Sequence, residues 1–363
     1  MRGRLVAPNE LTAGDVAAWA SCAARSLEPN PFLEPNWLLP TLKYLDEARA
    51  TKLVLAENED GVQAVVPIIG VTAEQNNEVC CGKSAAVKTR VAPTAISLGT
   101  PLVTAEGGCE ALACLMEEIK QEAVRQHASL VIMEWVGYDG PTARLLKDAA
   151  PTANSVLVEF DLWERAILRR QSGDGQDYWL RHIGKNRRRT IAQHRRQLAS
   201  ALGMSPRLRT RTDGDAVDAF LRLEASGWKG HQSDGQALFG EAKTTRFFEE
   251  VCDRYISEGR MSFLALEGDG APIAMICCVR AGEGLFAYRT AYDEDLAKYG
   301  PGVEVFLAAM EYFDRETDAS WMDTCSVRDN GHLLGLFPDR RAMATVMFRV
   351  QCAQEKGDFA VEA

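Results

Sequence analysis

The segment Tyr299-Gly300-Pro301-Gly302 has residue types suited to holding an anionic group. It stands where a strand-like run gives way to an apolar helical pattern. The first turn of a helix offers backbone N–H groups that have no partner within the helix. Glycine lets a ligand approach the backbone closely, and proline in the first turn gives up no hydrogen bond. An ordinary turn accounts for the same residues, so spacing alone leaves both readings open.

Two other groups could touch a ligand. Trp228 and Lys229, flanked by Gly227 and Gly230, directly follow a helical pattern, where an aromatic and a cation could bound a pocket or, alternatively, plug the core and face solvent. From Arg181 through Arg196 the chain carries Lys185, Arg187, Arg188, Arg189, His194 and Arg195 without one acidic residue. Such a run suits tRNA, an anionic lipid-linked sugar or a nucleotide phosphate. Trp179, Ile183, Ile191 and Leu198 recur in it at helical spacing, so a solvated face of an amphipathic helix is the competing reading.

Other chemistries find no residues to run on. The chain has no Gly-x-x-x-x-Gly-Lys-Ser/Thr, no Gly-x-Ser-x-Gly elbow and no His-Glu-x-x-His. Its five histidines are scattered and its ten cysteines form no Cys-x-x-Cys pair, so no metal is expected and the cysteines read as buried reduced thiols. The net charge of −10 argues against nucleic-acid binding over the whole surface. No apolar run is long enough to span a bilayer, and the reading is of a cytoplasmic protein.

These residues need elements to position them. The 363 residues suggest two domains. Strand-like runs occur at 51–56, 63–71, 129–135 and 156–162, with helices at 15–24, 38–46 and 110–123 between them. The polar, Gly-rich QSGDGQD at 171–177 marks a boundary, giving an amino-terminal unit of 1–170 and a carboxy-terminal unit of 171–363. The second unit carries helices at 178–202, 214–226 and 243–258. Strands at 262–267 and 272–280 follow, turning at Asp269-Gly270 as a hairpin. A strand at 285–290 leads to an apolar helix from Pro301 or Gly302, whose narrow polar stripe is Glu304, Glu311 and Arg315. The expected fold class is α/β, a mixed sheet flanked by helices, with no repeat visible at the residue level.

Four segments in order carry a resemblance: Leu223-Glu224-Ala225-Ser226-Gly227-Trp228-Lys229-Gly230, the Asp-Gly hairpin with Pro272-Ile273-Ala274, Ala291-Tyr292-Asp293-Glu294, and Tyr299-Gly300-Pro301-Gly302. Together, over residues 178–348, they resemble the CelD/BcsL-type acyltransferases of the GNAT superfamily, distant relatives of the FemAB-type aminoacyl transferases. Asn30-Pro31-Phe32 and Pro35-Asn36-Trp37 are similar to the first, degenerate GNAT-like unit of longer members. At the strand-to-helix junction where ordinary GNAT enzymes carry a Gln/Arg-x-x-Gly-x-Gly/Ala signature, only Gly300-Pro301-Gly302 stands in its place.

The resemblance implies two GNAT-like units, the second transferring an acyl group from acetyl-CoA or another acyl-CoA to a small-molecule or glycan-linked amine, and the first shaping the acceptor cleft. It implies a splay between strands 285–290 and 320–324 for the donor arm. Gly300, Pro301, Gly302 and Val303 would receive the pyrophosphate, Tyr288 would line the donor site, and Trp228 and Lys229 would bound the acceptor. Acyl transfer needs a base for the amine and an acid for the thiolate. Asp323, Glu224 and Asp293 are candidate bases, and Tyr292, with Tyr288 and Tyr299, a candidate acid. Two alternatives stay open: a FemAB-like transferase that meets aminoacyl-tRNA through Arg181–Arg196, and a non-catalytic binding protein that keeps the fold.

Overall fold

The computed structural model describes residues 1–46, 50–72, 85–171, 181–226, 238, 240–328 and 330–350. Its strands are β1 (Arg2–Val6), β2 (Lys52–Asn58), β3 (Gly61–Val71), β4 (Ala86–Lys88), β5 (Leu102–Val103), β6 (Leu130–Gly137), β7 (Val158–Arg169), β8 (Arg207–Arg211), β9 (Met261–Gly268), β10 (Ala271–Ala281), β11 (Gly284–Tyr292), β12 (Trp321–Asp323) and β13 (Asp339–Arg349). Its helices are α1 (Ala13–Ala24), α2 (Pro35–Tyr44), α3 (Gly108–Arg125), α4 (Pro141–Ala149), α5 (Lys185–Leu202), α6 (Gly214–Ser226), α7 (Ala242–Ser257), α8 (Pro301–Glu316) and α9 (Gly331–Leu334).

All thirteen strands join one mixed sheet in the order β1-β2-β3-β4-β6-β13-β7-β12-β11-β10-β9-β8, with β5 on β3. The order reads alike from both ends. In each half four successive strands pair antiparallel, and the fourth then pairs parallel with the strand after a helix: β4 with β6 across α3, β11 with β12 across α8. The last strand of each half lies in the other half: β7 pairs with β12, β13 pairs with β6, and the two pair with each other. This repeat of topology has no counterpart at the residue level, because a fold specifies which positions are buried rather than which apolar residue fills them.

Alternating side chains send the sheet's two faces into different cores. One core runs unbroken from Trp19, Phe32 and Trp37 of the first half to Phe220, Phe247 and Tyr255 of the second. On the other face, α3 and α8 cover the two halves separately. The Cys277-Cys278 doublet shows the alternation directly, with one thiol in each core. The helices α2 and α7 are further joined where Glu34 meets Arg260 at 2.7 Å and the buried Tyr255 hydroxyl donates to the Pro31 carbonyl at 3.0 Å.

Local sequence accounts for the elements that frame the site. The hairpin turns on Asp269 and Gly270, both at positive φ, which matches the twist of its strands. α8 begins after Gly300 at φ +66°, with Pro301 in its first turn. Its expected polar stripe is ion-paired: Glu304 with Arg195 at 2.6 Å, and Glu311 with Arg315 at 2.6 Å. β7 runs seven residues beyond the expected 162, and β13 was not expected as a strand, because their arginines disguise buried positions as loop. The boundary segment at 172–177 and the start of the basic helix at 178–180 lie outside the described residues.

Candidate active site

The parallel strands β11 and β12 pair only over Gly284–Phe286 and Trp321–Asp323. Beyond Phe286 they part: β11 continues to Tyr292 and β12 stops. Two local devices cause this. In β11, Arg289 faces Cys277 and Ala287 faces Cys278, so Tyr288 is an extra residue, a bulge that bends the strand. After β12, Asp323 Oδ1 accepts the Cys325 N–H at 2.7 Å and Cys325 sits at φ +52°, which turns the chain out of the sheet.

The gap opens into a cavity of about 490 Å³ lined by Ala287, Tyr288, Arg289, Thr290, Thr324, Cys325 and Ser326, and by Pro93, Ser97 and Trp135 of the first half. Toward the start of α8 a second cavity of about 420 Å³ shares Thr290, Phe306, Asn330 and Leu333 with it and is lined by Tyr292, Gly300, Pro301, Gly302 and Val303. On the opposite side a third, of about 700 Å³, shares Pro93 and Trp135 and is lined by Lys88, Arg90, Glu134, Asp161 and Arg328. The shared residues make one trench across both halves.

At the helix start, Val303 and Glu304 donate to the Gly300 carbonyl at 3.0 and 3.2 Å. A Cβ at Gly302 would lie 3.3 Å from the Tyr292 ring, so glycine keeps this wall thin. Burial and the neighbouring Glu294 push the Tyr292 hydroxyl above its ordinary pKa. Asp293 accepts the Asp295 N–H at 3.0 Å and caps the short helix Glu294–Tyr299. Tyr299 packs half-buried with the core under α8.

Around the central cavity the carboxylates are held by arginines. Glu224 is buried, pairs with Arg289 and accepts the Leu238 N–H at 2.8 Å. Burial works against the Arg289 cation, and Glu224 outweighs it. Asp323 is fully buried, with Arg341 at 2.7 Å and Arg165 at 3.7 Å. Tyr288 packs against Phe32 and Trp37, and burial raises its hydroxyl well above the ordinary pKa, so it keeps its proton. Of the expected residues, Tyr288 lines the central cavity and Tyr292 with Gly300–Val303 lines the next, whereas Glu224 and Asp323 are fully buried and line neither, Glu224 paired with the lining Arg289 and Asp323 next in the chain to the lining Thr324. Asp293 is engaged in a cap. Trp228 and Lys229 lie outside the described residues.

Residues 185–325 match the acetyltransferase (GNAT) domain. Among solved structures, FemX shares 12% identity at a TM-score of 0.59, over 98% of each chain. A conserved protein of unknown function from Bacteroides thetaiotaomicron shares 11% at 0.56, over 94% of this chain and 98% of that one. No curated protein matches by sequence. At these identities the likeness is one of fold, and it extends well beyond the GNAT domain to nearly the whole chain.

Sequence reading expected the first half to shape the acceptor cleft but named none of its residues in the trench. Trp135 sits at φ +57° where β6 places Glu134 and Trp135 opposite the single Thr345 of β13. Its ring lies 3.5 Å from the Arg90 guanidinium and 5.7 Å from Trp163. Gly99 donates to the Trp135 carbonyl at 3.0 Å, and a Cβ there would fall 2.0 Å from the Glu134 carbonyl oxygen. A lone Gly-Thr-Pro after an apolar run carries no signal of this. Beside the cavity at the start of α8, α5 exposes Lys185, Arg188, Arg189 and Arg196, and Arg187 donates to the His332 carbonyl at 2.7 Å. Among the described residues no helix is long and apolar enough to cross a membrane, and no group of His, Cys, Asp and Glu could hold a metal.

Proposed function

We propose that this chain is an acyltransferase that passes an acyl group, acetyl from acetyl-CoA or a related acyl-CoA, to the amine of a small-molecule or glycan-linked acceptor. The observation that carries this reading is the parting of β11 from β12 at the Tyr288 bulge, which opens a trench between a helix start and a wall supplied by the first half. In this reading the carboxy-terminal unit, 171–363, binds the donor and the amino-terminal unit, 1–170, shapes the acceptor side. The donor's pyrophosphate sits at Gly300–Val303, where the helix start favours negative charge, and its thioester reaches the central cavity. The acceptor enters past Trp135.

The amine attacks the thioester carbonyl, the C–N bond forms and the C–S bond breaks. Tyr288, protonated and buried at the cavity wall, donates a hydrogen bond to the departing thiolate. Glu224, paired with the Arg289 that lines the cavity, takes the amine proton through water. Asp323 and Asp293 shape the turn and the cap that frame the trench. A non-catalytic relative would have filled the cleft with side chains, whereas two connected cavities occupy it here.

Calorimetric titration with acetyl-CoA tests this. Micromolar binding is expected, and Gly302→Glu, which puts a carboxylate at the helix start, abolishes it; absence of binding to the native chain refutes the reading. The exposed basic face of α5 beside the donor-side cavity favours a second reading, in which the donor is aminoacyl-tRNA. It requires RNA binding that falls steeply with salt and weakens in Arg188→Ala with Arg189→Ala.

A further inference from the structure

Charges do not balance at the seam of the exchanged strands. Arg165 on β7 and Arg341 on β13 are directly opposite in the antiparallel register, and both are buried, Arg165 completely. The carboxylate they share is Asp323, whose Oδ2 lies 2.7 Å from Arg341 Nη1 and whose Oδ1 lies 3.7 Å from Arg165 Nη1. Arg165 donates from Nε to the Ser326 carbonyl at 3.0 Å and from Nη2 to the Ser97 carbonyl at 2.8 Å. Its Nη1 is buried with no hydrogen-bond partner among the described residues.

Ser97 and Ser326 both line the central cavity, so the Arg165 guanidinium lies directly behind that wall and ties the two halves together across it. Two cations thus face one carboxylate in a buried seam, within a chain of net charge −10. A guanidinium does not shed its proton in a protein, so the excess charge persists at neutral pH. Through a low-dielectric wall it acts on the cavity far more strongly than a solvated charge would.

We infer that the central cavity takes an anionic group of its ligand, a carboxylate or a phosphate, beside Ser97 and Ser326 with Arg165 behind them. The acceptor is then an amine that also carries an anion. This rests on reading the cavity as the acceptor end of the transfer site; the donor's own phosphates belong at the far end of the trench, by Gly302. Arg165 does not touch the ligand and is a positioning residue, contributed to the second half's site by the strand exchanged from the first.

The test is thermal denaturation of the full chain at constant ionic strength, with chloride replaced stepwise by acetate or by inorganic phosphate, in the presence of saturating CoA. A ligand of the folded state raises the melting temperature. Stabilisation by acetate identifies a carboxylate, and stabilisation by phosphate a phosphoryl group. Arg165→Lys keeps the charge and should keep the effect. Arg165→Met leaves Arg341 and Asp323 as a balanced pair and should weaken anion binding about tenfold. Asp323→Asn removes the shared carboxylate and should strengthen it, which keeps the test decisive if Arg165→Met does not fold. The inference is overturned if neither anion stabilises the native chain, if Arg165→Met responds as the native chain does, or if Asp323→Asn does not respond more strongly. Acetyl-CoA calorimetry reads the donor end separately. Binding of acetyl-CoA without an Arg165-dependent anion response refutes this inference alone, and the converse refutes the donor reading alone.

Discussion

Arg289 lines the central cavity and is paired with the buried Glu224, and each needs the other for different reasons. Removing Arg289 strands a buried carboxylate: Arg289→Met should cost about 3–5 kcal/mol in urea denaturation. Glu224→Gln keeps the shape and one of the two accepting oxygens but cannot take a proton, so it should lower kcat at least about a hundredfold while leaving acetyl-CoA affinity unchanged. Equal loss in both quantities would assign Glu224 to structure alone. The thiols give a second test. Burial raises the pKa of Cys22 and Cys278 to about 12 and those of Cys252, Cys277 and Cys325 well above the ordinary value. A thiol with a raised folded pKa stays protonated while the unfolded chain ionises, so its stabilisation is complete below the unfolded pKa and is lost as pH rises above it. Stability should therefore fall from about pH 9 upward. At pH 8 alkylation of the native chain should reach Cys109 and Cys114 before these five, as peptide mapping can show.

At the scale of elements, the trench depends on departures from regular strands: the Tyr288 bulge, the turn at Cys325 and the left-handed Trp135. Backbone in such regions persists only where its surroundings enforce it. Gly99 is one enforcer, since its chain passes so close to Glu134 that a methyl group has no room. Gly99→Ala should destabilise by about 1–3 kcal/mol, and because the strain lands on Trp135, acceptor KM should rise more than donor KM. Loss of stability with unchanged KM values would detach Trp135 from the acceptor. The hairpin, the α8 start and the strand β11 were legible because each follows from local rules, positive φ at Asp-Gly, proline in a first turn and alternation along a strand, whereas the splay of β11 from β12 was implied by the resemblance alone. β7 and β13 were not, because burial of Arg165 and Arg341 is licensed by partners far away in sequence.

For the whole molecule the exchange of β7 and β13 means that neither half closes its sheet alone. Residues 1–171 expressed alone would expose both edges of β7 and part the core that joins Phe32 and Trp37 to Phe247 and Tyr255. That fragment should aggregate, whereas co-expression with residues 172–363 should recover a soluble complex. A folded, monomeric 1–171 fragment would show that the halves are independent domains. The same exchange explains why one trench draws residues from both halves, with Arg165 crossing furthest.

The sequence by itself determined the class of fold, the order of most elements and the helix start at Gly300–Val303. These depend on period, turn chemistry and capping, which act over a few residues. Only the tertiary structure decided that Asp323 and Glu224 are bound by arginines and that Trp135 walls the cavity. It also decided which half each closing strand serves. Those outcomes rest on charge pairing and burial between residues up to about 160 positions apart, and no local pattern encodes which distant partner a buried charge will find.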